Sequence, residues 1–588
     1  MLRKTKIVCT IGPACESYEM FTALVKAGLN VARLNFSHGS HAEHLVRVNT
    51  IKKVREELDA PVAILLDTKG PEIRTGTFDA PSYMLERGQK FTLTSEEVVG
   101  NAHISKVSYA GLPKDVKSGD RILIDDGLIE LVVDSVEGNH IHTTVQNGGE
   151  IKNNKGINVP GVKINLPAIT ERDESDLLFA VEHELDFIAA SFIRKAEDVL
   201  EIRKILEKHG GGNIKIISKI ENQEGVDNLE EILRVSDGLM VARGDLGVEI
   251  STEIMPIVQK QIIEKCNMEG KPVITATQML DSMMRNPRPT RAETTDVANA
   301  IFDGTDAVML SGETAVGHYP VEAVTFMSKI AMATEEVLKY DDILDSRIKS
   351  VVEQGVTEAV SHATARAALD LNAGAILTAT SSGFTARKVS KLRPKSAIIA
   401  CTTTESVRRW INLLWGVYPM VIEDADSTDK IFDIAVESSK EKGLIADGDI
   451  VVISAGVPVG ISGATNLMKV QLVGEVLIKG LGVVPGKVSG RSIVGSCSEE
   501  LKQNGFAEGD IIIAKSVDSD MIPYIKQASA IVVEEGGYNS TGAVIALSIS
   551  KPCIVGVYRA TELIKTGVEI TVNSSKNIVF ASNSRKMQ

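Results

Sequence analysis

The sequence predicts an α/β protein built around a closed (β/α)8 barrel, a TIM barrel. Short β-rich runs recur eight times between Lys6 and Ser311, amphipathic helical stretches separate them, and most runs end in polar or charged residues. Eight strand–helix repeats specify a closed barrel, and polar residues at the C-terminal ends of the strands mark its active-site face. An open doubly wound sheet is the alternative, but no G-x-G-x-x-G follows the first run.

The eight predicted strands are short and mostly apolar. Helical spacing of apolar residues predicts helices between them, such as Met20–Ala27 and Val199–Lys208. We predict strands at Lys6–Thr10, Val31–Asn35, Ala63–Asp67, Asp186–Ser191, Lys215–Ile220, Gly238–Ala242, Pro272–Thr277 and Asp306–Ser311.

Polar groups at these strand ends form the candidate site. The set is Thr10, Arg33, Asn35, Asp67, Ser191, Lys219, Glu221, Arg243, Asp245, Thr277, Ser311 and Glu313. Capping of the following helices is an alternative role for Ser191 and Ser311. Capping does not account for Arg33, Asp67 and Lys219 together.

The stretch Ile214–Asp245 is the centre of the prediction, because it reads as one strand–helix–strand unit. Lys219 and Glu221 lie two residues apart on the first strand and therefore face the same way. A helix is predicted over Gln223–Val235, and Asp245 follows the second strand, so the two carboxylates meet at neighbouring strand ends. Two carboxylates beside an ammonium group suit a divalent cation and an anionic substrate. The alternative is a solvent-exposed ion pair.

Two further features lie at the ends of the sixth and seventh strands. Gly244 and Gly247 flank Asp245 and permit either close approach of the backbone to a ligand or a positive φ in a tight turn. Thr277 ends the seventh strand, where capping a helix is an equal alternative to a role in the site.

The chain leaves the barrel pattern after the third strand. Alternating residues with DG and GN turns, as in Arg121–Val136, predict an antiparallel β domain over residues 70–166. Because it is inserted at the active-site end, we expect it to act as a lid that excludes water. The barrel then comprises residues 1–69 and 167–338.

Two more domains are predicted after the barrel. Residues 339–473 alternate strands and helices, and a hydroxyl-rich loop there precedes a helix whose N-terminus would favour an anion. The loop residues are Thr380, Ser381, Ser382, Gly383 and Thr385; a capped turn without a ligand is the alternative. Residues 474–588 form a last module with a Gly–Gly turn and a helix of small residues.

Composition limits the partners. With 588 residues the chain is too long for one core. A net charge of −14 argues against a nucleic-acid or anionic-membrane partner. The six cysteines are scattered, as expected of reduced thiols in the cytoplasm. No apolar run approaches the ~18 residues of a membrane span.

Six motifs resemble those of the pyruvate kinase family. They occur in order over residues 1 to 473 and are NFSHG (Asn35–Gly39), LDTKGPEIRTG (Leu66–Gly76), KIEN (Lys219–Asn222), ARGDLG (Ala242–Gly247), ATQML (Ala276–Leu280) and MLSGETA (Met309–Ala315). The resemblance implies a cytoplasmic homotetramer with a barrel, a lid and an α/β regulatory domain. It also implies the last step of glycolysis, in which the phosphoryl group of phosphoenolpyruvate passes to ADP, giving pyruvate and ATP.

The resemblance further implies roles for single residues. Glu221 and Asp245 would hold Mg²⁺ or Mn²⁺, while Lys219 and Arg33 would contact the transferring phosphoryl group. The Gly244 N–H and the Thr277 hydroxyl would bind the substrate carboxylate, and Thr277 would also lie on the proton path. The nucleotide contacts would be Asn35, Arg74 and Lys155.

A potassium ion is implied as well. The family's potassium ligands, all oxygen donors, match Asn35, Ser37, Asp67 and Thr68. Relatives that work without potassium carry a lysine where this chain has Glu72, so K⁺ must supply that charge here. The loop from Thr380 to Thr385 matches the place where relatives bind a phosphorylated effector, whose identity the sequence does not reveal.

The last module resembles the swivelling phosphohistidine domain of phosphoenolpyruvate-utilising enzymes. That domain has the pattern GG-x-TSH-AA, and here the corresponding stretch Gly536–Ala543 places Thr541 at the position of the histidine. Threonine cannot replace an imidazole nucleophile, so we predict a structural or regulatory module without phosphotransfer.

Two other functions compete with the kinase. One is a carbon–carbon lyase or aldolase on a similar barrel, and the other is a non-catalytic phosphate sensor built from the last two domains. A lyase has no need of ADP, so the lid with Lys155 favours the kinase. A sensor would require a degenerate barrel, whereas each expected catalytic position is filled.

Overall fold

Eight strands close into a parallel barrel, as the sequence predicts. The computed structural model describes residues 2–349, 355–457, 465–474 and 476–581. Each barrel strand pairs with its neighbours in chain order, and the eighth closes the ring on the first. The strands, β1–β8 in chain order, are Lys6–Thr10, Val31–Asn35, Ala63–Asp67, Phe187–Ala190, Lys215–Ile220, Gly238–Ala242, Val273–Ala276 and Ala307–Leu310.

Five of the predicted strands have the predicted bounds, and β4, β7 and β8 are one residue shorter at each end. The cause is visible at β7. Pro272 has no N–H to offer the ladder at its start, and Thr277 has φ +69° at its end, outside the extended region.

The helices outside the barrel bury apolar faces against the strands. The predicted helix over Gln223–Val235 is wrong in one respect, because the chain forms two short helices that meet at Asn228. The Asn228 side chain donates to the Arg194 carbonyl oxygen (2.9 Å), which holds the break. The α-helices are Tyr18–Ala27, His41–Glu57, Glu171–Glu182, Ala196–Lys208, Gln223–Asp227, Leu229–Val235, Arg243–Glu249, Met255–Glu269, Arg291–Asp303, Gly312–Ala315 and Pro320–Glu336, and a 3₁₀ turn spans Asp281–Met284.

The barrel interior is filled by side chains. Alternate residues of the strands point inward and pack with Leu413 and Trp410, which come from a later segment of the chain. The buried set is Val8, Val31, Ala63, Leu65, Phe187, Ala189, Ile217, Met240, Ile274, Ala276, Ala307, Met309 and Leu413.

The insertion after β3 is a β domain with its own core, as predicted. Seven strands form one sheet in the order Ile73–Arg74, Gly156–Asn158, Arg121–Ile124, Ile129–Glu137, His140–Asn147, Lys90–Thr94 and Ile104–Lys106. Gly149–Lys152 pairs with Ser82–Leu85, and Leu112–Asp115 is a short helix. The pairing is antiparallel except between the last two strands of the seven-stranded sheet.

The described residues pack as two compact units. The first comprises those of Met1–Ala365, Thr380–Val421 and Gly460–Thr465. Within it the segment 380–421 closes the N-terminal end of the barrel. Arg393 Nη1 lies 2.8 Å from Asp306 Oδ1, and Arg409 Nε lies 2.7 Å from Asp186 Oδ1.

The remaining elements alternate strands and helices. The helices are Tyr340–Lys349, Val356–Asp370, Phe384–Lys391, Glu405–Trp410 and Thr428–Glu441, with a 3₁₀ turn at Ile411–Leu413. The strands are Ala375–Ala379, Ala397–Thr402, Val417–Val421, Ile450–Ala455 and Leu467–Leu472.

The last module is an eight-stranded mixed sheet with flanking helices. In sheet order its strands are Val476–Lys479, Ile578–Ala581, Glu569–Asn573, Lys487–Val494, Ile511–Ala514, Ala530–Val533, Cys553–Val555 and Leu481–Val484. Its helices are Ser498–Gln503, Ile522–Gln527, Thr541–Ser548 and Ala560–Leu563, with a 3₁₀ turn at Ser519–Met521.

The remaining features of the fold are the state of the cysteines and the apolar length of the helices. All six cysteines are free thiols, and five of them are buried. No helix in the described part of the chain is long and apolar enough to cross a membrane.

Candidate active site

Lys219 is the centre of a buried charge cluster at the C-terminal mouth of the barrel. Its ammonium nitrogen lies 2.8 Å from Glu221 Oε1 and 3.0 Å from Asp67 Oδ1. It also donates to the Ser191 hydroxyl at 2.8 Å. Because Lys219 is only 9% exposed, the alternative of a solvent-exposed ion pair with Glu221 is wrong.

Arg33 is the second cation of the cluster. Its Nε donates to Asp67 Oδ2 at 2.6 Å and its Nη1 donates to the Thr10 hydroxyl at 2.8 Å. Asp67 therefore accepts from both Arg33 and Lys219, one through each carboxylate oxygen. A single buried carboxylate thus orients both cations.

The ionisation of the cluster follows from burial and pairing. Burial works to lower the pKa of Lys219, but the carboxylates of Asp67 and Glu221 outweigh it, and the pKa is raised. Burial works to raise the pKa of Asp67, yet Arg33 and Lys219 hold that pKa below its ordinary value. Both groups are therefore charged at neutral pH.

Asp245 approaches Glu221 from the neighbouring strand, as expected. It lies in the first turn of the helix Arg243–Glu249, which follows β6 directly. Burial raises the pKa of Glu221; Lys219 opposes that shift, and the charge of Asp245 adds to it. The two carboxylates are therefore close enough to repel each other.

The carboxylate pair fits a magnesium ion. Glu221 Oε2 accepts the Phe192 N–H at 2.6 Å, while the buried Oε1 lies 2.8 Å from Lys219 Nζ. No cluster of three or more His, Cys, Asp or Glu side chains suited to a metal occurs in the described residues. Mg²⁺ commonly takes only one or two protein carboxylates and completes its shell with water and substrate oxygens.

Gly244 and Thr277 meet at the ends of β6 and β7. The Gly244 N–H donates to Thr277 Oγ1 at 2.8 Å, and that hydroxyl donates to the Ala276 carbonyl oxygen at 2.6 Å. Thr277 does not cap a helix. Gly244 and Gly247 lie in a helix and do not have positive φ, so the tight-turn alternative for these glycines is wrong.

The four residues expected to bind potassium lie together at the ends of β2 and β3. Asn35 and Asp67 are register partners on these adjacent strands. Asn35 Oδ1 accepts the Ser37 N–H at 3.1 Å, and the Thr68 carbonyl oxygen accepts the Ser191 hydroxyl at 2.6 Å. The set presents hydroxyl, amide and carboxylate oxygens, as a hard monovalent cation requires.

Arg74 and Lys155 come together in the lid, where Arg74 pairs with Gly156 in the sheet. Each cation is held by a carboxylate of the lid. Arg74 Nη2 lies 2.6 Å from Glu72 Oε2, and Lys155 Nζ lies 2.9 Å from Asp125 Oδ1.

A cavity of about 390 Å³ lies between the lid and the barrel mouth. Glu72 and Asp126 line it from the lid, and Phe192 and Asp245 line it from the barrel. Asn158 of the lid donates to Glu249 Oε1 at 2.8 Å, which ties the lid to the helix that carries Asp245. Among the described residues predicted to bind substrate, nucleotide or metal, only Asp245 lines this cavity. Lys219, Arg33, Thr277, Arg74 and Lys155 do not line it, so the cavity reaches the predicted site at Asp245 alone.

The sequence analysis missed or misread three residues of this site. Ser191 does not cap a helix but bridges Lys219 and the Thr68 carbonyl oxygen. Phe192 has φ +55°, rare for a bulky residue, and this conformation aims its N–H at Glu221. Asp126 faces Asp245, whose charge adds to the effect of burial in raising the Asp126 pKa.

Ser311 also differs from the capping interpretation. It precedes the helix Gly312–Ala315 but makes no side-chain cap bond. Instead its N–H donates to Glu313 Oε2 at 2.7 Å, and the Leu280 N–H donates to Glu313 Oε1 at 3.1 Å. The buried Glu313 carboxylate therefore links the end of β8 to the loop after β7.

The hydroxyl-rich loop precedes the helix Phe384–Lys391, as predicted. Gly383 is the N-cap, has φ +79°, and would place a Cβ 2.3 Å from the Trp410 ring, so only glycine fits there. The helix has no side-chain cap, which disfavours the capped-turn alternative. Thr385 Oγ1 lies 3.0 Å from Thr465 Oγ1 and is buried.

Comparisons with known proteins agree with this geometry. Residues 2–324 match the family described as pyruvate kinase, barrel domain; residues 358–471 match pyruvate kinase, alpha/beta domain; and residues 506–577 match PEP-utilising enzyme, mobile domain. The chain is 53% identical over 582 residues to a pyruvate kinase of Geobacillus stearothermophilus, covering 99% of each chain. It is 52% identical over 582 residues to one of Sporosarcina psychrophila, covering 98% of this chain and 99% of that protein.

A solved structure is also similar. It is a pyruvate kinase from Cryptosporidium parvum with 42% sequence identity and a TM-score of 0.77. The match covers 80% of this chain and 96% of that one.

Proposed function

The chain belongs to the pyruvate kinase family of phosphotransferases, and from that premise we propose that it transfers the phosphoryl group of phosphoenolpyruvate to ADP with the help of Mg²⁺ and K⁺. The observation that carries the proposal is the buried contact of Lys219 with Glu221 and Asp67 at the mouth of the barrel. The reaction would be the last step of glycolysis in the cytoplasm.

Lys219 and Arg33 would stabilise the charge that develops during transfer. Phosphoryl transfer involves little covalent work by the protein, so placement of charge must supply most of the catalysis. A unit charge ~4 Å from the reacting group is worth about 4 kcal/mol at an effective dielectric constant near 20. If realised only in the transition state, this is roughly a thousandfold in rate.

Glu221 and Asp245 would hold the divalent cation at the edge of the cavity. When bound, Mg²⁺ would act as a Lewis acid and neutralise the negative charge on the carboxylate and phosphoryl oxygens of the substrate. Asn35, Ser37, Asp67 and Thr68 would hold K⁺ beside it. The chain's own contribution is to fix these oxygen atoms on neighbouring strand ends.

The carboxylate end of the substrate would lie against Gly244 and Thr277. The Gly244 N–H already points at the Thr277 hydroxyl, so a substrate carboxylate would replace one acceptor with another. The Thr277 hydroxyl would also lie on the proton path to the enolate carbon.

The lid would hold the nucleotide and exclude water. Arg74 and Lys155 would bind its phosphates after leaving Glu72 and Asp125. Asn35, in the barrel, would add a further contact. A closed lid would keep water from accepting the phosphoryl group and would strengthen the electrostatic interactions inside the cavity.

The remaining parts would regulate and assemble the enzyme. We assign the lid to residues 70–166, an effector domain to 339–473 and the last module to 474–588. A phosphorylated metabolite would bind at Thr380, Ser381, Ser382, Gly383 and Thr385, and the subunits would form a homotetramer. The Thr541 hydroxyl would not serve as a phosphate carrier, so the last module would not take part in the transfer.

Pyruvate formation from phosphoenolpyruvate tests the proposal directly. We expect turnover that requires ADP and Mg²⁺ together and that falls when K⁺ is left out. Pyruvate released at the same rate without ADP would identify a phosphatase instead, because water would then accept the phosphoryl group. A full-length chain without turnover under any of these conditions would favour the sensor.

A further inference from the structure

A second cavity lies at the N-terminal end of the barrel, at the opposite end of the strands from the active site. Its volume is about 130 Å³. Lys215 and Asp237 line it from the barrel, and Ser382, Arg387 and Trp410 line it from the segment that closes this end. An engineered cavity of ~150 Å³ holds one benzene molecule, so there is room for a group the size of phosphate.

Two cations line this cavity without a carboxylate partner. In the described part of the chain, neither Lys215 Nζ nor the Arg387 guanidinium makes a side-chain hydrogen bond or an ion pair. Their nearest specific contacts are aromatic: Lys215 Nζ lies 5.4 Å from the centre of the Trp410 ring, and Arg387 lies 5.8 Å from that of Phe384.

The one carboxylate among the described lining residues is already committed. Asp237 Oδ2 accepts from Arg203 Nη2 at 2.5 Å and from the Ile216 N–H at 2.9 Å. Asp237 brings one negative charge to the lining, against the two positive charges of Lys215 and Arg387. The cavity wall has a surplus of positive charge.

Burial makes this surplus of positive charge energetically unfavourable. Burial lowers the pKa of Arg387, although the charges of Asp237 and Glu269 act in the opposite direction. Lys271 adds to the positive potential, and its ammonium group is fixed by the carbonyl oxygens of Leu233 (2.7 Å) and Arg234 (2.9 Å). A partly buried cation without a counter-charge is compensated when an anion binds.

We propose that this cavity binds a phosphate-sized anion, either inorganic phosphate or the phosphate group of a phosphomonoester, between Lys215 and Arg387 and against the Trp410 ring. The site shares only Ser382 with the hydroxyl-rich loop, and its second cation belongs to the barrel. It is therefore separate from phosphoryl transfer and does not depend on the effector assignment.

Tryptophan emission provides a local readout, because Trp410 is one of two tryptophans in the chain. We would titrate the full-length protein with inorganic phosphate and, separately, with ribose 5-phosphate, at constant ionic strength. The expected result is a saturable change in emission and a rise in the thermal unfolding midpoint. Tighter binding of the sugar phosphate would identify a phosphomonoester site, and equal affinity would identify a site for inorganic phosphate.

Variants at the two cations locate the bound anion, and a lysine on the same strand as Lys215 provides the control. We expect Lys215→Met and Arg387→Met each to weaken phosphate binding about tenfold or more. Lys219→Met makes the same change four residues along β5, in the active site, and should leave the emission change intact. Arg387→Lys keeps the charge and should retain most of the affinity, which separates loss of the site from loss of folding.

Two results would overturn the proposal. One is the absence of a saturable response to both ligands in the parent chain. The other is an unchanged dissociation constant in folded Lys215→Met and Arg387→Met chains, which would place the anion elsewhere, such as at the hydroxyls of the loop.

Discussion

The ammonium nitrogen of Lys219 lies 2.8 Å from Glu221 Oε1, and both side chains are buried at the mouth of the barrel. Neither group can satisfy its charge with bulk water. Lys219 also meets Asp67, so the lysine is fixed from two sides before any substrate arrives. Preorganised charge of this kind costs no rearrangement at the moment of reaction.

Replacing Lys219 with methionine should lower the turnover number about a thousandfold, because it removes the charge nearest the transferring group. The measurement is pyruvate formation at saturating phosphoenolpyruvate and ADP. Lys53→Met is the matched control, since Lys53 lies on an outer helix with its side chain 65% exposed. Ordinary turnover in Lys219→Met would refute the role of this lysine.

Replacing K⁺ with tetramethylammonium should lower turnover about tenfold or more, because the larger ion cannot enter the oxygen set of Asn35, Ser37, Asp67 and Thr68. Glu72→Lys should restore turnover without K⁺ by supplying the charge from the chain. Glu72→Gln is the control, because it removes the pairing with Arg74 but adds no positive charge. Undiminished activity of the parent in tetramethylammonium would contradict the potassium assignment.

Ser382→Glu should abolish activation by a phosphorylated effector while turnover at saturating substrate stays within about twofold. The added carboxylate repels an anion at the N-terminus of the helix Phe384–Lys391. The measurement is the rate at low phosphoenolpyruvate, with and without a sugar phosphate or a nucleoside monophosphate. Ser382→Ala is the uncharged control, and a loss of saturated turnover in Ser382→Glu would argue against a regulatory role.

Thr541→Val should leave turnover unchanged within about twofold. Thr541 is exposed at the start of its helix, and the N-cap bond is made by Ser540, whose Oγ accepts the Ala543 N–H at 3.3 Å. Incubation with phosphoenolpyruvate labelled in the phosphoryl group, without ADP, should leave no acid-stable label on the protein, the form that a phosphothreonine would take. Label that disappears in Thr541→Val would show that this position carries phosphate.

His44 should make stability depend on pH. Burial lowers the pKa of His44 to about 4, and its Nε2 hydrogen-bonds the His38 carbonyl oxygen (2.9 Å). In the unfolded chain His44 has a pKa near 6.5 and is protonated below that pH, whereas in the folded chain it stays neutral until about pH 4. The free energy of unfolding therefore decreases as pH falls from about 6.5 toward 4. We expect a loss of about 2 kcal/mol between pH 7 and pH 5 from this group.

The measurement is the difference in the free energy of unfolding between pH 7 and pH 5. His44→Gln should remove the histidine's share of that difference. His209→Gln, at an exposed histidine, should not change it. Equal pH dependence in the parent and His44→Gln would show that His44 does not contribute.

Most of the correct predictions of fold and site came from the pattern of apolar and polar residues along the strands. The runs that end at Asn35, Asp67 and Ile220 are strands with the predicted bounds, because each apolar run stops at a polar or charged residue, which for the third is Glu221. Alternation along β5 placed Lys219 and Glu221 on one side, and parallel pairing brought in Asp245.

The errors come from residues whose role depends on tertiary contacts. A serine after a strand looks the same whether it caps a helix or, like Ser191, bridges a lysine and a carbonyl oxygen. No sequence signal marks Phe192 for a left-handed backbone. The break at Asn228 has a polar residue as its only signal within an otherwise helical pattern.

The filled interior of the barrel separates its two mouths. Lys215 and Ile217 face the cavity at one end, and Lys219, on the same side of the same strand, faces Asp67 and Glu221 at the other. No solute can diffuse along a core that Leu413 and its neighbours occupy. A coupling between the two ends through the barrel interior would therefore require small shifts of packed side chains rather than passage of a ligand.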